Sequence, residues 1–561
     1  MAIDMGPEPW CAEHPKQTWR DEGRQLMAMA RWNPRQTYTK QEEWIMRRLG
    51  RTRKLFAFLR AQRHALFDDA FQAELETMYR DTGAGKPAVP PALLAMVTLL
   101  QAYLKVSDAE AVELSVMDRR WQLVLDCLEA TVPPFSQGAL GELRARLIGT
   151  DMDRRLLERT VAVARQSQAF DARKLPKSLR VAFDASALEG AGRVEDTLNL
   201  LGHAARKVVA CVAVLLGCTV EAVARQAGIP VLLAPSVKAG LDVDWTDPQA
   251  PPEALQRLVQ QLDALEAWVQ RRLPEALTQG PLQEQVATLH QVQAQDLEPA
   301  SADQGVRLRQ GVTPERRCSI EDGAMRHGRK SKHKRFNGYK RHLATELEED
   351  LILACALTPA NHPEDEAAEP LKADIERQEL GAIDELYIDR GYLSSPVVPA
   401  VLKAGGMVIC RPWGVANGEV FSKQAFTLNL RAKTLMCPGG HTEPFRLGTV
   451  VEFPAVACDP CPLRAQCTTA ALGRGRTVSI AADEPFQHRL RQRAATRVGR
   501  AQLRQRVEVE HRLAHLGACQ GRRARYKGVR KNLFDVRRTA AVLNLQTFQH
   551  KTEERELRRA A

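Results

Sequence analysis

Three acidic residues stand where a carboxylate could hold a cation. Asp184 follows Val181, Ala182 and Phe183, an apolar run of strand character, and precedes a turn with Gly190. This reading puts Asp184 at the tip of that strand. Asp389 repeats the pattern: residues 385–389 read as a strand, and Arg390 and Gly391 follow at once. Glu510 lies in a helical stretch, 504–516, with Glu508 two positions before it. Two such residues point to opposite sides of a helix. Leu503, Arg506, Glu510 and Leu513 share a partly apolar face, the one suited to lie on a sheet, which selects Glu510. Glu508 shares a polar face with Arg504, Gln505 and Arg512 and reads as a surface ion-pair residue. Carboxylates that converge repel one another unless cations join them. Asp184, Asp389 and Glu510 are therefore expected to meet and hold divalent cations for phosphoryl transfer. Capping the turn before Gly190 is the plainer alternative for Asp184.

A polyanionic partner is the leading reading of the charge. Lys plus Arg total 80 in 561 residues, the net charge is +12 and the pI is about 9.2. Cations are densest over residues 311–342, with Arg326, Arg329, Lys330, Lys332, Lys334, Arg335, Lys340 and Arg341. His327, His333 and His342 stand among or beside them. A solvated loop is the bland alternative. The stretch runs into two strand-like segments, 338–345 and 351–357, so its charge is expected against a sheet near Asp184, gripping phosphates. A second basic loop, 522–528, carries Arg525 and Lys527 around Tyr526.

Cys437, Cys458, Cys461 and Cys467 form a separate constellation. Cys458-Asp-Pro-Cys461 puts two thiolates on one tight turn, which suits tetrahedral zinc, and Cys437 and Cys467 would complete four ligands. His441 could replace one of them. A redox pair normally opens a helix, whereas prolines surround this one. A cluster without metal is the other alternative.

The elements that must position these groups divide the chain. Residues 1–30 carry Pro7, Pro9 and Pro15 without periodicity and read as a mobile tail. Residues 31–172 read as a helical domain with Arg-rich faces suited to DNA, or as a plain bundle. Its signals are Pro90-Pro91 before the apolar stretch 92–104 and Ser107 with Glu110 as a capping box. Residues 173–218 and 311–428 read as two parts of one α/β domain. A helical insertion, 219–310, separates them, and its stretch 252–268 is a clean amphipathic helix. A cysteine-rich insertion, 429–475, follows; then come C-terminal helices, 476–548, and a tail, 549–561. The longest apolar run, 208–216, is shorter than the roughly 20 residues of a membrane span. The N-terminus lacks the charge and apolar pattern of an export signal. A cytoplasmic, nucleoid-associated protein without membrane contact is expected.

These stretches together resemble a bacterial insertion-sequence transposase of the DDE type. The resemblance covers most of residues 88–547. It rests on residues 91–146, 183–196, His327-Gly-Arg-Lys330 with Asn337-Gly-Tyr-Lys340, Ile388-Asp-Arg-Gly-Tyr392, and Val509-Glu-His511 with Ala524-Arg-Tyr-Lys-Gly528. It implies an RNase H-like mixed sheet flanked by helices, an all-α N-terminal domain and a small zinc-ribbon-like insert. The acidic triad then maps onto Asp184, Asp389 and Glu510. Two cations, Mg²⁺ or Mn²⁺, would serve cleavage at transposon ends and transfer of the 3′-OH into target DNA, with Zn²⁺ structural. Arg506 and Glu510 match a Tyr, Arg and Glu pattern of related transposases, with Leu503 where the Tyr would stand. The resemblance makes Arg506 a phosphate-binding group and double-stranded DNA the partner, with a homodimer assembled on it. A cleavage-only nuclease and a catalytically silent DNA-binding protein are the alternatives.

Overall fold

The computed structural model describes residues 31–50, 54–79, 88–167, 169–170, 178–247, 249–300, 305–311, 313–330, 333–414 and 417–560. The expected tail over 1–30 lies outside the described residues.

A six-stranded mixed sheet carries the acidic residues. Strand β1 (Leu179–Glu189) pairs antiparallel with β2 (Arg335–Glu346), which pairs antiparallel with β3 (Leu351–Pro359). On its other side β1 pairs in parallel with β4 (Ile383–Tyr387), and β4 with β5 (Met407–Ile409). The spatial order is thus 3-2-1-4-5. The sixth strand, Arg326–Arg329, folds back on the start of β2. Val181, Ala182 and Phe183 are fully buried, as expected of a strand covered on both faces.

β1 does not end at Asp184. It runs five residues further, because β2 stays in register from Val181↔Glu346 to Glu189↔Gly338. The parallel ladder to β4 stops earlier, at Ala182↔Tyr387. Asp184 therefore lies inside a strand, just past the point where its parallel neighbour gives out.

The N-terminal helices share one continuous core with the sheet. Helix Pro91–Leu104 is buried nearly all round, and Ser107 and Glu110 make the expected capping box. Several arginines of this region serve its own packing. Arg60 pairs with Glu42 at 2.6 Å, Arg63 donates to the carbonyls of Leu123 and Val124, and Arg144 pairs with Asp108 at 2.5 Å. Helix Val529–Ala560 crosses β3, where buried Asn544 accepts from Ile352 N–H (2.8 Å) and donates to its carbonyl (2.9 Å). That side chain satisfies a backbone pair at the sheet's edge. The expected tail over 549–561 is, through Ala560, the end of this helix. It is held by Lys54 on Glu553 (3.2 Å) and by Lys551 over the Phe170 ring.

A second core gathers the helices Thr197–Leu216, Val220–Gln226, Ala250–Arg272 and Pro281–Asp296. Residues 197–216, expected in the first part of the α/β domain, belong to this module instead. Their apolar stripe fits its helices, and Thr197 and Arg316 both bind Asp296. Helix Thr197–Leu216 is long and apolar enough to cross a membrane; 56% of the relevant window is buried within the protein. The cysteine-rich region folds on a third core, around Phe426, Leu435, Phe445 and Phe453, under a three-stranded and a two-stranded sheet. These sheets reach from Thr427 to Ser479, slightly beyond the expected 429–475.

Gly338 joins β1 to β2 at their closest approach. Its φ is +150°, and a Cβ there would sit 2.3 Å from the Leu188 carbonyl oxygen and 2.4 Å from Gly190 N. Both are backbone atoms and cannot swing aside. Gly338→Ala is expected to cost about 2 kcal/mol or more, read as a lower urea midpoint; an unchanged midpoint would show that the junction yields.

Candidate active site

The three carboxylates come from three elements. Asp184 projects from β1, and its Oδ1 accepts a hydrogen bond from Ala185 N–H at 2.8 Å. Asp389 stands two residues beyond β4, where its Oδ1 caps the turn Arg390–Tyr392 through Arg390 N–H at 2.5 Å. Glu510 rides on helix Val507–Gln520. That helix is set on the sheet by Val509, wholly buried against Ala182, Tyr387 and Ile409, with Leu503 packed alongside. The neighbouring Glu510 then faces the space in front of Asp184, while Glu508 stays exposed.

Arg506 stands between the three acids. It occupies the break between helix Arg497–Gln505 and helix Val507–Gln520. Its Nη2 donates to Glu510 Oε1 at 2.7 Å, and its Nη1 lies 3.3 Å from Asp184 Oδ2 and 3.9 Å from Asp389 Oδ2. Arg506, expected to hold a phosphate, is the counter-ion of the carboxylates in this structure. The fit is incomplete: Nη1 is buried and completes no hydrogen bond. Among the described residues no three His, Cys, Asp or Glu side chains form a ready metal shell. A cluster already holding one organic cation nonetheless has the donor chemistry for a divalent one.

Burial raises the Asp184 carboxyl to about 6; Arg506 opposes that rise, and Asp389 and Glu510 add to it. Beneath the acids lies Tyr392, fully buried and bonded to His342 Nδ1 at 2.7 Å. His342 Nε2 contacts Thr358 Oγ1 at 2.9 Å, and burial pushes the imidazole down to about 3, so this floor is neutral. Burial, with the charges of Glu364, Asp184 and Asp389, holds the Tyr392 hydroxyl well above its usual range.

A cleft of about 610 Å³ opens over the acids, with Arg329, Lys330, Lys334, Lys340, Arg341 and Arg522 among its lining residues. Four of the cations expected to bind DNA, Arg329, Lys330, Lys334 and Lys340, thus share it with Arg506. Lys332 lies outside the described residues. Arg326 is drawn away by Glu315 (3.1 Å) and the Gly323 carbonyl, and Arg335 pairs across the ribbon from Arg329. Arg525 donates to the carbonyls of Lys105 and Val106, and Lys527 pairs with Glu321 at 2.8 Å. These last two fasten elements together rather than lining the cleft. Sequence reasoning counted Arg522 only as the start of the basic loop 522–528 and passed over Glu364, for which no local spacing gave a signal. It counted Arg341 only as one of a run. Buried Arg341 donates to Ser186 Oγ (2.9 Å) and Gln520 Oε1 (2.8 Å), locking β1 to helix Val507–Gln520.

The four cysteines line one small cavity with His441. A Cβ on Gly439 would lie 3.1 Å from Cys461 Sγ and 3.7 Å from Cys437 Sγ. Burial raises the Cys467 thiol, and the charges of Cys458, Cys437 and Cys461 add to it. His441 turns to Glu443 at 2.7 Å.

Carboxylates are thus gathered beside the carboxyl ends of parallel strands, under a basic cleft. The comparisons name the class. Residues 303–545 match the transposase DDE domain, and residues 52–146 match a transposase domain, DUF772. The chain belongs to the DDE transposases of the insertion-sequence type, enzymes that act on DNA. Asp389 and Glu510 fall inside the first match, whereas β1 with Asp184 precedes it. No curated protein and no solved structure matches the chain.

Asp184 sets a pH dependence whose sign is fixed. Its folded value, about 6, exceeds the ordinary 3.8, so the native state keeps the proton longer. Stability then falls as pH rises from 3.8 to about 6 and stays reduced above. Asp184→Asn is expected to stabilise the cation-free protein at pH 7.5, by up to about 3 kcal/mol, and to change little at pH 4. Urea titrations at the two pH values measure this; no gain at pH 7.5 would mean that Arg506 compensates Asp184 fully.

Proposed function

We propose that this protein cuts DNA at the ends of a transposon and joins the freed 3′-OH to target DNA, with Asp184, Asp389 and Glu510 as the catalytic carboxylates. One observation carries this reading: three acids from β1, the end of β4 and a C-terminal helix surround a single cationic group on the floor of a basic cleft. The strand order, with β1 antiparallel to β2 and parallel to β4, supports an RNase H-like catalytic domain.

Divalent cations, Mg²⁺ or Mn²⁺, would supply an activated water and charge stabilisation at the leaving 3′ oxygen. The three carboxylates would hold them. The chain's own groups do the rest. Lys330, Lys334, Lys340 and Arg329 draw the phosphate backbone over the acids. Arg506, released from the carboxylates, turns its planar fork to a phosphate. The neutral floor of Tyr392, His342 and Thr358 keeps water and counter-charge from beneath Asp184. Joining two ends to one target requires two such sites, so a homodimer on DNA is part of the proposal. The cysteine cavity is proposed as a structural Zn²⁺ site that stiffens the insertion flanking the cleft.

Incubating the purified protein with Mg²⁺ and DNA carrying candidate ends tests the chemistry. Wild type is expected to cleave and then join ends to a target plasmid. Asp184→Ala, Asp389→Ala and Glu510→Ala should each fall at least roughly a thousandfold. Cleavage without joining would leave a nuclease, and full activity in Asp184→Ala would remove the acids from the chemistry. Binding should weaken steeply with salt, and neutralising Lys330 and Lys334 together should reduce the log–log slope by about 2.

Metal analysis tests the insertion separately. About one zinc per chain is expected in wild type and none in Cys458→Ser. Equal zinc in both, or zinc in neither, would refute the site.

A further inference from the structure

Two further carboxylates line the same cleft: Glu189, which accepts from Asn337 N–H at 3.3 Å, and Glu364. Glu364 opens the turn Glu364–Ala367 that follows β3, and it lines the cleft with Asp184, Asp389 and Glu510. Its side chain is 29% exposed. Among the described residues the cation within 4.0 Å of it is Lys340, and that ammonium already donates to the His362 carbonyl at 2.7 Å. No hydrogen bond to either Glu364 oxygen is recorded among the described residues. A half-buried carboxylate without protein donors is left to bind water.

The fold makes room for it. The turn Glu364–Ala367 packs on the turn Arg390–Tyr392, which Asp389 caps. A Cβ on Gly391 would lie 2.4 Å from Glu364 Oε2 and 3.2 Å from its Cβ. Glycine two residues after Asp389 is therefore what admits Glu364 to this position. It lies within the electrostatic reach of the acids: Lys340 and Arg506 attract the Glu364 carboxylate, Asp389 repels it, and Glu364 in turn acts on the Tyr392 hydroxyl.

We propose that Glu364 is a positioning residue of the cation site: its carboxylate accepts hydrogen bonds from the water shell of a divalent cation held by Asp389 and Asp184. The inference rests on the reading of those acids as cation ligands. A small divalent cation keeps several waters and binds few carboxylates directly. A nearby acceptor without donors of its own is suited to orient those waters. Partners of this outer kind typically govern metal affinity by about 10–100-fold.

Divalent-cation affinity of the full chain, without DNA, is the readout. Mn²⁺ binding is measured by titration calorimetry and by its spin resonance for wild type, Glu364→Gln, Glu364→Asp and Asp389→Asn. Glu364→Gln is expected to bind Mn²⁺ at least roughly tenfold more weakly, with an unchanged or higher unfolding midpoint when cation-free, since a repelling charge is gone. Glu364→Asp should recover part of the loss. A merely structural Glu364 would move the midpoint and leave the affinity alone. Equal affinity of Glu364→Gln and wild type, while Asp389→Asn loses binding, overturns this inference and spares the role of the triad. A wild-type chain that binds no Mn²⁺ overturns both.

Discussion

One guanidinium among three carboxylates is the constraint on which the site depends. At about 4 Å and an effective dielectric near 20, each like-charged pair repels by about 4 kcal/mol. Three acids facing one space carry three such repulsions. Arg506, 2.7 to 3.9 Å from all three, answers with three attractions of the same order. At Asp184 the cost of burial outweighs the attraction of Arg506. That is why the carboxyl inside the strand is raised to about 6. The cluster is a cation site held in balance by a side chain, and the side chain occupies it imperfectly, with one buried nitrogen left unbonded.

The sheet supplies the geometry for that balance. β1 is the hinge between an antiparallel half and a parallel half. Its antiparallel partner outlasts its parallel one, so β1 is held straight on one side while the other side opens at Asp184. Asp389 comes off the end of the shorter neighbour into that opening. Helix Val507–Gln520 is pressed on the same strands by Val509 and locked by buried Arg341, which reaches from β2 to Ser186 and Gln520. Each carboxylate thus hangs from backbone that cannot shift without breaking a ladder or a core contact, the kind of support a preorganised site requires.

How much of this was legible in the sequence depended on where the deciding partner lay. Asp389 was legible because its strand, the capping position and Gly391 are adjacent in the chain. Glu510 was legible because a helix face can be counted from Leu503 to Leu513. The end of β1 was not, because it is set by how far residues 338–346 keep pace, and nothing in 184–189 announces that. The run of cations after Gly311 was visible, but its division was not. Arg326 goes to Glu315 and Arg525 to Lys105 and Val106, some of these partners hundreds of residues away. The C-terminal segment read as a tail because its charges look solvated; its order comes from Lys54 and Phe170. Glu364 gave no signal, since its meaning lies in a turn-on-turn contact.

Both large inserted regions leave the sheet from the same side. β1, β4 and β5 run parallel, so their carboxyl ends share one edge, the edge where open α/β sheets bind ligands. The helical module departs after β1, past Gly190 and Gly192, where an added Cβ would strike the Met325 side chain. The cysteine-rich region departs after β5, beyond Arg411 and the half-exposed Trp413, whose ring is 5.7 Å from the Arg390 guanidinium. Arg390, Arg411, Arg500 and Arg504 line a second cleft of about 410 Å³ on this flank. A smaller cavity, lined by Asp389, Arg411, Arg506 and Glu510, lies between it and the acids. Material added at the opposite edge would hang far from the acids. Added here, each insertion leaves the sheet at the edge that carries the acids. Either insertion can therefore vary without touching the strands that aim the acids, which is the division of labour expected of loops carried by a rigid scaffold.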